Sequence, residues 1–297
     1  MNQPPKKSPK SIKAVLVILC ILVIWGAVDL CVSEIIAGKI PHRFASVDEG
    51  AELLLANTDY YGAYTQNDID FRMKKSGATL DELLAVTAGS VKKFSFFEKR
   101  YVNHRIARMY RTLRRNKYTL PETDEITFVK MDMSLEGGAS GYTHGTEIYL
   151  NSVNVTVYTF MSFLPDFNKS MDELLWHELF HCLTRCNHDV EHHNSYAPFV
   201  IDGRETDCFV AWITTRDYEE VKSGWSSCEA VALIPIDGTD TYWLSGQASN
   251  FNEVFGTNTS YVIDPEECLA DNFAYAMLYG IKGKDGQGCP NPEIICF

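Results

Sequence analysis

Two histidines and a glutamate have the types and spacing of a hydrolytic metal site. They form His177-Glu178-Leu-Phe-His181, an HExxH motif, in a chain of 297 residues. Because four residues make just over one helical turn, both imidazoles would project from the same face of a helix and could bind one zinc ion. Glu178 directly follows the first histidine, so its carboxylate could take a proton from a water molecule beside the ion. We therefore predict that His177 and His181 bind Zn2+ and that Glu178 is a general base.

A catalytic zinc ion needs a third protein ligand and keeps one open position. The metzincin pattern HExxHxxGxxH is excluded, because Thr184 and Asn187 occupy its glycine and third histidine positions. An intramembrane protease is excluded as well, since the segment around the motif is too polar for a membrane helix. The polar segment that follows offers three irregularly spaced candidates for the third ligand, His188, His192 and His193.

A helix near the carboxy-terminal end offers another third ligand. Glu267 and Asp271 are four residues apart and would share one helical face, whereas the neighbouring Glu266, a weaker candidate, would point to a different face. A Glu-x-x-x-Asp pair well downstream of HExxH resembles the gluzincins, the thermolysin-like zinc metallopeptidases. Residues 177–185 and 250–273 also resemble a family of mostly uncharacterised bacterial zinc metallopeptidases, and the resemblance extends over roughly residues 126–280.

This resemblance implies a role for each residue of the motifs. His177, His181 and Glu267 would be the zinc ligands, and Glu178 would be the base. Asp271 would accept a hydrogen bond from a ligand histidine and so orient its ring.

The resemblance also implies an α+β fold of the zincin type, in which a mixed sheet packs on the HExxH helix. In zincins the strand before that helix lies at the sheet edge and pairs with extended substrate. Residues 146–150 occupy this place in the chain, and residues 141–145 would be its flexible approach.

Hydrolysis of a peptide bond also needs a group that stabilises the tetrahedral oxyanion. Tyr261 is our candidate because it lies shortly before Glu267 in the sequence, and His192, His193 and Tyr196 are weaker alternatives.

These residues predict a zinc metallopeptidase that acts on a peptide or protein substrate. Two other functions stay open: a non-catalytic, zinc-stabilised binding protein, and an amidase that uses zinc on a non-peptide amide. Glu178 argues against the binding protein, because a structural zinc site has no use for a base and usually fills its fourth position with cysteine or histidine.

The elements that must position the site follow from capping signals and periodicity. We predict a mostly helical lobe over 42–120 and the metallopeptidase domain over 121–297. Helices are expected to begin at the capping boxes Thr79–Glu82 and Ser170–Glu173 and at Pro265, which follows the cap residue Asp264. The other expected elements are a helix over 96–116, strands over 125–131, 146–150, 198–213 and 229–237, and a helical segment over 245–255.

The amino terminus predicts membrane attachment. Four lysines and no acids in residues 1–13 precede fifteen apolar residues, 14–28. We interpret residues 1–13 as a basic cytoplasmic tail and residues 14–32 as a transmembrane signal anchor, which places the rest of the chain outside the cytoplasm. Secretion after cleavage of a signal peptide is the alternative.

Composition limits the other functional classes. A hydrophobic fraction of 45% and a charged fraction of 22% are typical of a globular protein. The net charge of −12 argues against a nucleic-acid partner, since phosphate binding needs a positive surface.

Overall fold

The computed structural model describes residues 14–15, 17, 28–29, 31–187, 196–214, 229–256, 259–262 and 265–280, apart from the side chains of Trp212, Thr214, Glu229 and Pro265. These residues form helices and two sheets, which confirms the predicted mixed α+β class. Within them, no helix is both long enough and apolar enough to cross a bilayer. The predicted tail 1–13 and most of the predicted anchor 14–32 lie outside the described residues, so the anchor stays a prediction.

The elements are numbered in chain order. The helices are α1 (Val47–Ala56), α2 (Thr58–Gly62), α3 (Gln66–Met73), α4 (Leu80–Gly89), α5 (Phe96–Asn116), α6 (Ser152–Phe160), α7 (Pro165–Cys186), α8 (Phe251–Phe255) and α9 (Pro265–Tyr279). The strands are β1 (His42–Phe44), β2 (Val91–Lys92), β3 (Ile126–Met131), β4 (Gly141–His144), β5 (Glu147–Asn151), β6 (Tyr196–Ile201), β7 (Arg204–Thr214), β8 (Glu229–Pro235) and β9 (Trp243–Leu244). Residues 31–37 are also helical.

The first sheet is mixed and has strand order β1-β3-β5-β4, with β2 paired to β3. Strands β1, β3 and β5 are parallel, while β2 and β4 run antiparallel to their neighbours. The expectation that residues 146–150 form the edge strand is wrong, because β5 lies between β3 and β4. Its residues Ile148, Tyr149 and Leu150 are at most 1% exposed, which requires cover on both faces. The edge strand is β4, joined to β5 by a tight turn at Gly145, whose φ is +57°.

The 42–120 segment is mostly helical, as predicted, but it shares the sheet of the segment that follows. Strand β1 pairs in parallel with residues 126–128, and β2 pairs with residues 130–131. The largest apolar core contains side chains from residue 37 to residue 277. The predicted boundary at residue 120 therefore falls between elements that share one core.

Helix α7 carries the HExxH motif and begins earlier than predicted. Pro165 stands at its first turn, where the missing N–H costs nothing. Ser170 lies inside the helix and donates its hydroxyl to the carbonyl oxygen of Asp166 (3.1 Å), so it is not a cap. The capping box at Thr79 is confirmed, because its hydroxyl accepts from the Glu82 N–H at the start of α4.

A buried ion pair joins α7 to α5. The guanidinium of Arg105 on α5 donates two hydrogen bonds to the carboxylate of Asp172 on α7, with a Nε to Oδ1 distance of 2.6 Å. The side chains are 2% and 9% exposed, so neither charge has much water to replace its partner. This pair anchors the motif helix five residues before His177.

Removal of one partner of this pair should be strongly destabilising. We expect Asp172→Ala to lower the free energy of unfolding by about 3–5 kcal/mol, because the buried guanidinium of Arg105 loses its counter-charge. Urea unfolding measures this loss, with Asp166→Ala, an exposed position on the same helix, as the control. The double variant Arg105→Met/Asp172→Leu should recover most of the loss. An Asp172→Ala protein as stable as the control would contradict the expectation.

The second sheet lies between α7 and α9 in the sequence and is an antiparallel meander, β6-β7-β8-β9. The single strand predicted over 198–213 is wrong, because a hairpin turn divides this segment. Asp202 and Gly203 both have positive φ, +51° and +76°, as a two-residue hairpin turn requires. Residues 245–255 form only a short 3-10 turn and the five-residue helix α8.

Candidate metal centre

Helices α7 and α9 bring the two motifs together through aromatic packing. The ring of Phe273 on α9 lies 5.9 Å from Trp176 and 5.5 Å from Phe180 on α7, between ring centroids. All three side chains are 1% exposed. Glu267 and Asp271 lie on the same helix as Phe273, and both carboxylates reach His177 on α7. The predicted bounds of α9 at residues 265 and 279 are confirmed, while Asp264 lies outside the described residues.

The donor atoms of His177, His181 and Glu267 converge on one point. The Nε2 atoms of the two histidines are 3.2 Å apart. The Glu267 carboxylate lies 3.0 Å from His177 Nε2 through Oε2 and 3.6 Å from His181 Nε2 through Oε1. Ligands about 2.0–2.1 Å from a tetrahedral zinc ion would lie about 3.3 Å from each other. The separation of the two Nε2 atoms and the distance from His177 Nε2 to Glu267 Oε2 are close to this value. One donor atom from each of the three residues lies within 4.8 Å of the other two, so these residues fit the ion.

The other nitrogen of each imidazole is held by a carboxylate of α9. His177 Nδ1 lies 2.9 Å from Asp271 Oδ1, and His181 Nδ1 lies 3.1 Å from Glu266 Oε1. These bonds leave Nε2 of both rings directed at the centre, which is the arrangement that orients metal-binding histidines. Two imidazole nitrogens this close need a shared proton or a metal ion between them. Among the described residues, His177, His181 and Glu267 are the one group of three or more histidine, cysteine, aspartate or glutamate side chains that could hold a metal ion.

The contact with Glu266 is the feature that sequence reasoning missed. We expected Glu266 to point to a different face of α9 from Glu267, and it does, but α7 also lies on that side. Its Oε1 accepts from the hydroxyl of Thr184 (2.8 Å), and its Oε2 lies 3.4 Å from the Arg185 guanidinium. Glu266 is only 7% exposed, so its carboxylate is buried between α9 and α7, against His181. Its neighbours in the sequence carry no signal for this role, which depends on how the two helices cross.

Loss of this support should weaken metal binding without abolishing it. We expect Glu266→Gln to lower the zinc affinity by about 10- to 100-fold, the usual effect of removing a carboxylate that orients a ligand histidine. Competition against a chromophoric chelator measures the affinity. Glu253→Gln, an exposed position on α8, is the control. An unchanged affinity in Glu266→Gln would show that the His181 ring is oriented by other contacts.

The carboxylates of α9 set the protonation of the two histidines. Burial lowers the pKa of both histidines, but hydrogen bonds to the carboxylates dominate: those to Asp271 and Glu267 raise the pKa of His177 to about 9. Similarly, contacts with Glu266 and Glu267 raise the pKa of His181 to about 10. Although burial opposes it, the same contacts hold the pKa of Glu267 well below its ordinary value. A metal ion that binds between the two Nε2 atoms would displace the proton held there.

The carboxylate of Glu178 lies beside the centre and faces the edge strand. Its Oε2 accepts a hydrogen bond from the Thr143 hydroxyl at 2.7 Å, and the side chain is buried. Burial raises the pKa of Glu178, against the opposing charges of His177 and His181. A raised pKa makes this carboxylate a stronger base than an exposed glutamate.

The approach of β4 to Glu178 depends on a glycine. A Cβ atom at Gly141 would lie 2.9 Å from the Tyr149 carbonyl oxygen and 3.3 Å from Glu178 Oε1. A larger residue at position 141 would therefore force β4 or its neighbours to shift. Residues predicted to be a flexible approach are thus the strand that contacts the centre.

The structure places Tyr261 next to the centre. Its ring centroid lies 6.0 Å from that of His177, and 43% of the residue is exposed. Its N–H donates to the Thr259 hydroxyl at 2.9 Å, and that hydroxyl in turn bonds Asp271. Tyr196 lies on β6, where its ring contacts Phe209. His188, His192 and His193 lie outside the described residues.

Comparison with known proteins finds no match among family models, curated proteins or solved structures.

Proposed function

We propose that this protein is a zinc metallopeptidase of the gluzincin type, with a zincin-like fold. The observation that supports it best is the convergence of donor atoms from His177, His181 and Glu267 within 4.8 Å of one another, with the Glu178 carboxylate beside them. A structural zinc site would have a fourth protein ligand in place of that base. The mixed sheet with an antiparallel edge strand against α7 is consistent with the proposed fold.

Each residue has a separate task in the proposed reaction. His177, His181 and Glu267 hold the ion, which when bound activates water and polarises the scissile carbonyl. Glu178 takes the proton of the water and passes it to the leaving amine. Tyr261 is the proposed donor to the oxyanion, because it is exposed and adjacent to the ring of His177.

The edge strand gives the proposed substrate its orientation. Strand β4 pairs with β5 on one side, and no strand within the described part of the chain pairs with its other side, which could accept an added strand. An extended peptide on that side would lie against the strand whose Thr143 bonds the base. This geometry favours a peptide over a small non-peptide amide.

We also propose that the enzyme is anchored in the membrane by residues 14–32, with the metallopeptidase domain outside the cytoplasm. The support is the apolar run behind four lysines. Secretion after signal cleavage is the alternative.

Metal analysis and a peptide mixture test the proposed activity together. Purified full-length protein should contain about one zinc per chain, and it should generate new termini in a mixture of random peptides, identified by mass spectrometry. Chelation should stop cleavage and added zinc should restore it. Zinc without cleavage of peptides would leave the two alternatives, and hydrolysis of simple acyl amides would then separate an amidase from a binding protein.

A further inference from the structure

Helix α6 exposes an apolar face. Its sequence, SVNVTVYTF, contains no charged residue. Val153, Val157 and Phe160 are 64%, 38% and 77% exposed, and their spacing of four and three residues puts them on one side of the helix. A surface helix ordinarily turns its polar face to water, so this face is expected to contact something apolar.

The apolar face extends onto neighbouring elements. Phe163 and Leu164, just after α6, are 73% and 39% exposed, and Phe96 and Phe97, at the start of α5, are 64% and 72% exposed. The two helices are tied together where the Thr156 hydroxyl donates to Glu98 Oε1 at 2.8 Å. We define the phenylalanine patch as these exposed side chains of α5, α6 and the α6–α7 connection: Phe96, Phe97, Val153, Val157, Phe160, Phe163 and Leu164.

The end of the apolar run 14–28 lies at the edge of this patch. Asp29 and Cys31 line an open groove of about 650 Å³ together with Phe96 and Phe97. The same groove is lined by Thr159, which directly precedes Phe160, and by Ser162, which directly precedes Phe163. The chain thus passes from the apolar run into the folded part beside the patch.

Polar contacts of Asp29 hold this entry point on α5. The Asp29 carboxylate lies 3.4 Å from His104 Nε2 and 3.8 Å from the Arg111 guanidinium. The first residue after the apolar run is therefore already bound to the domain, and no linker separates the two. A bilayer that takes up residues 14–28 must lie close to the phenylalanine patch.

The chemistry of the patch suits the interfacial layer of a phospholipid bilayer. Exposed phenylalanines can enter the region between headgroups and acyl chains, and a cation beside them can meet a phosphate. The Arg100 guanidinium, which also pairs with Glu34, lies 5.3 Å from the centroid of the Phe96 ring and lines the same groove. We propose that the phenylalanine patch lies in the interfacial layer of the membrane that receives residues 14–28, and so sets the orientation of the domain. This inference rests on the proposed membrane anchor and is independent of the peptidase activity.

Fluorescence quenching by brominated lipids tests the proposal on the full-length chain. Phe97→Trp and Phe163→Trp each place a tryptophan in the patch. Tyr242→Trp is the control, because Tyr242 is half-exposed and lies directly before β9 of the second sheet. The proteins are reconstituted into vesicles of phosphatidylcholine and phosphatidylglycerol, with bromine either near the headgroups or near the bilayer centre. The signal is the emission added to that of the five native tryptophans.

We expect shallow bromine to remove most of the added emission at positions 97 and 163, and little of it at position 242. Phe160→Glu in the Phe97→Trp protein should reduce the quenching, because a charge resists entry into the interface. Phe160 is 77% exposed, so this change should leave the fold intact.

Three results would overturn the proposal. Equal quenching at all three positions would contradict the contact between the patch and the lipid. If the protein still floated with the vesicles after alkaline extraction, the proposed anchor would be supported all the same. Iodide, a quencher dissolved in the water, could fail to reach the tryptophan at position 97 when more protein chains are present per vesicle. If this protection occurred without quenching by brominated lipid, the patch would be assigned to contact with a second copy of the chain. A chain that does not float with vesicles would remove both the anchor and the patch contact, and would leave the peptidase proposal standing.

Discussion

Replacement of Glu178 by glutamine should nearly abolish peptide cleavage while the zinc stays bound. Glutamine keeps the shape of the side chain and can still accept a hydrogen bond from Thr143, which lies 2.7 Å away. It has no carboxylate to take the proton of the water, and general base catalysis contributes about 10²- to 10⁴-fold to such rates. We therefore expect kcat to fall by about that factor, with an unchanged zinc content. Initial rates on a peptide identified in the mixture assay, together with metal analysis, measure both quantities.

The matched control for Glu178→Gln is Asp166→Asn, which removes an exposed carboxylate from the same helix. Its kcat should equal that of the native protein. If Glu178→Gln were as active as this control, the proposed mechanism would be wrong, whatever the metal content. Loss of zinc from Glu178→Gln would instead show that this carboxylate contributes to the metal site itself.

Replacement of Glu267 by alanine should remove the metal. The variant keeps both histidines but loses the proposed oxygen ligand, the carboxylate that lies 3.0 Å from His177 Nε2. We expect its zinc affinity to fall further than the about 10- to 100-fold expected for Glu266→Gln, since a direct ligand is lost. Metal analysis after gel filtration should find little zinc in Glu267→Ala and about one zinc in the exposed control Glu253→Ala.

Thermal unfolding gives a second measure of the same change. After a chelator has removed the metal, zinc added back at about 100 times its Kd should stabilise the native sequence by about 2.7 kcal/mol and should stabilise Glu267→Ala much less. Full zinc content in Glu267→Ala would transfer the third ligand to Glu266 or to the segment with His188, His192 and His193. The absence of zinc from the native protein, even after it is added back, would remove the basis for the proposed enzyme.

Local patterns were enough to predict several elements of the fold. The helix over 96–116 and the helix over 265–279 have the predicted bounds. Their capping residues and apolar periodicity act within one or two turns, so they can be recognised without knowing what the helices pack against. The start of α7 was predicted wrongly because two such signals compete there, and Pro165 begins the helix before the capping box at Ser170.

Strand order, in contrast, depends on contacts between distant segments. The sequence predicts residues 141–145 to be a flexible approach to the edge strand, yet residues 141–144 form β4, the strand that contacts Glu178. Two strands from the mostly helical segment, β1 and β2, join the sheet through pairing with β3. Nothing in the local sequence of these short strands indicates the partner that stabilises them.

By itself, the sequence determined which groups could bind a metal and activate water. Spacings of four residues put His177 with His181, and Glu267 with Asp271, on single helical faces, because helical periodicity is a local property of the backbone. Only the tertiary structure decided that these faces meet, since 86 residues separate His181 from Glu267 and the meeting depends on the packing of α9 against α7, which includes the contact of Phe273 with Phe180. The same crossing of α7 and α9 placed Glu266 against His181, a contact that no periodicity within one helix can specify.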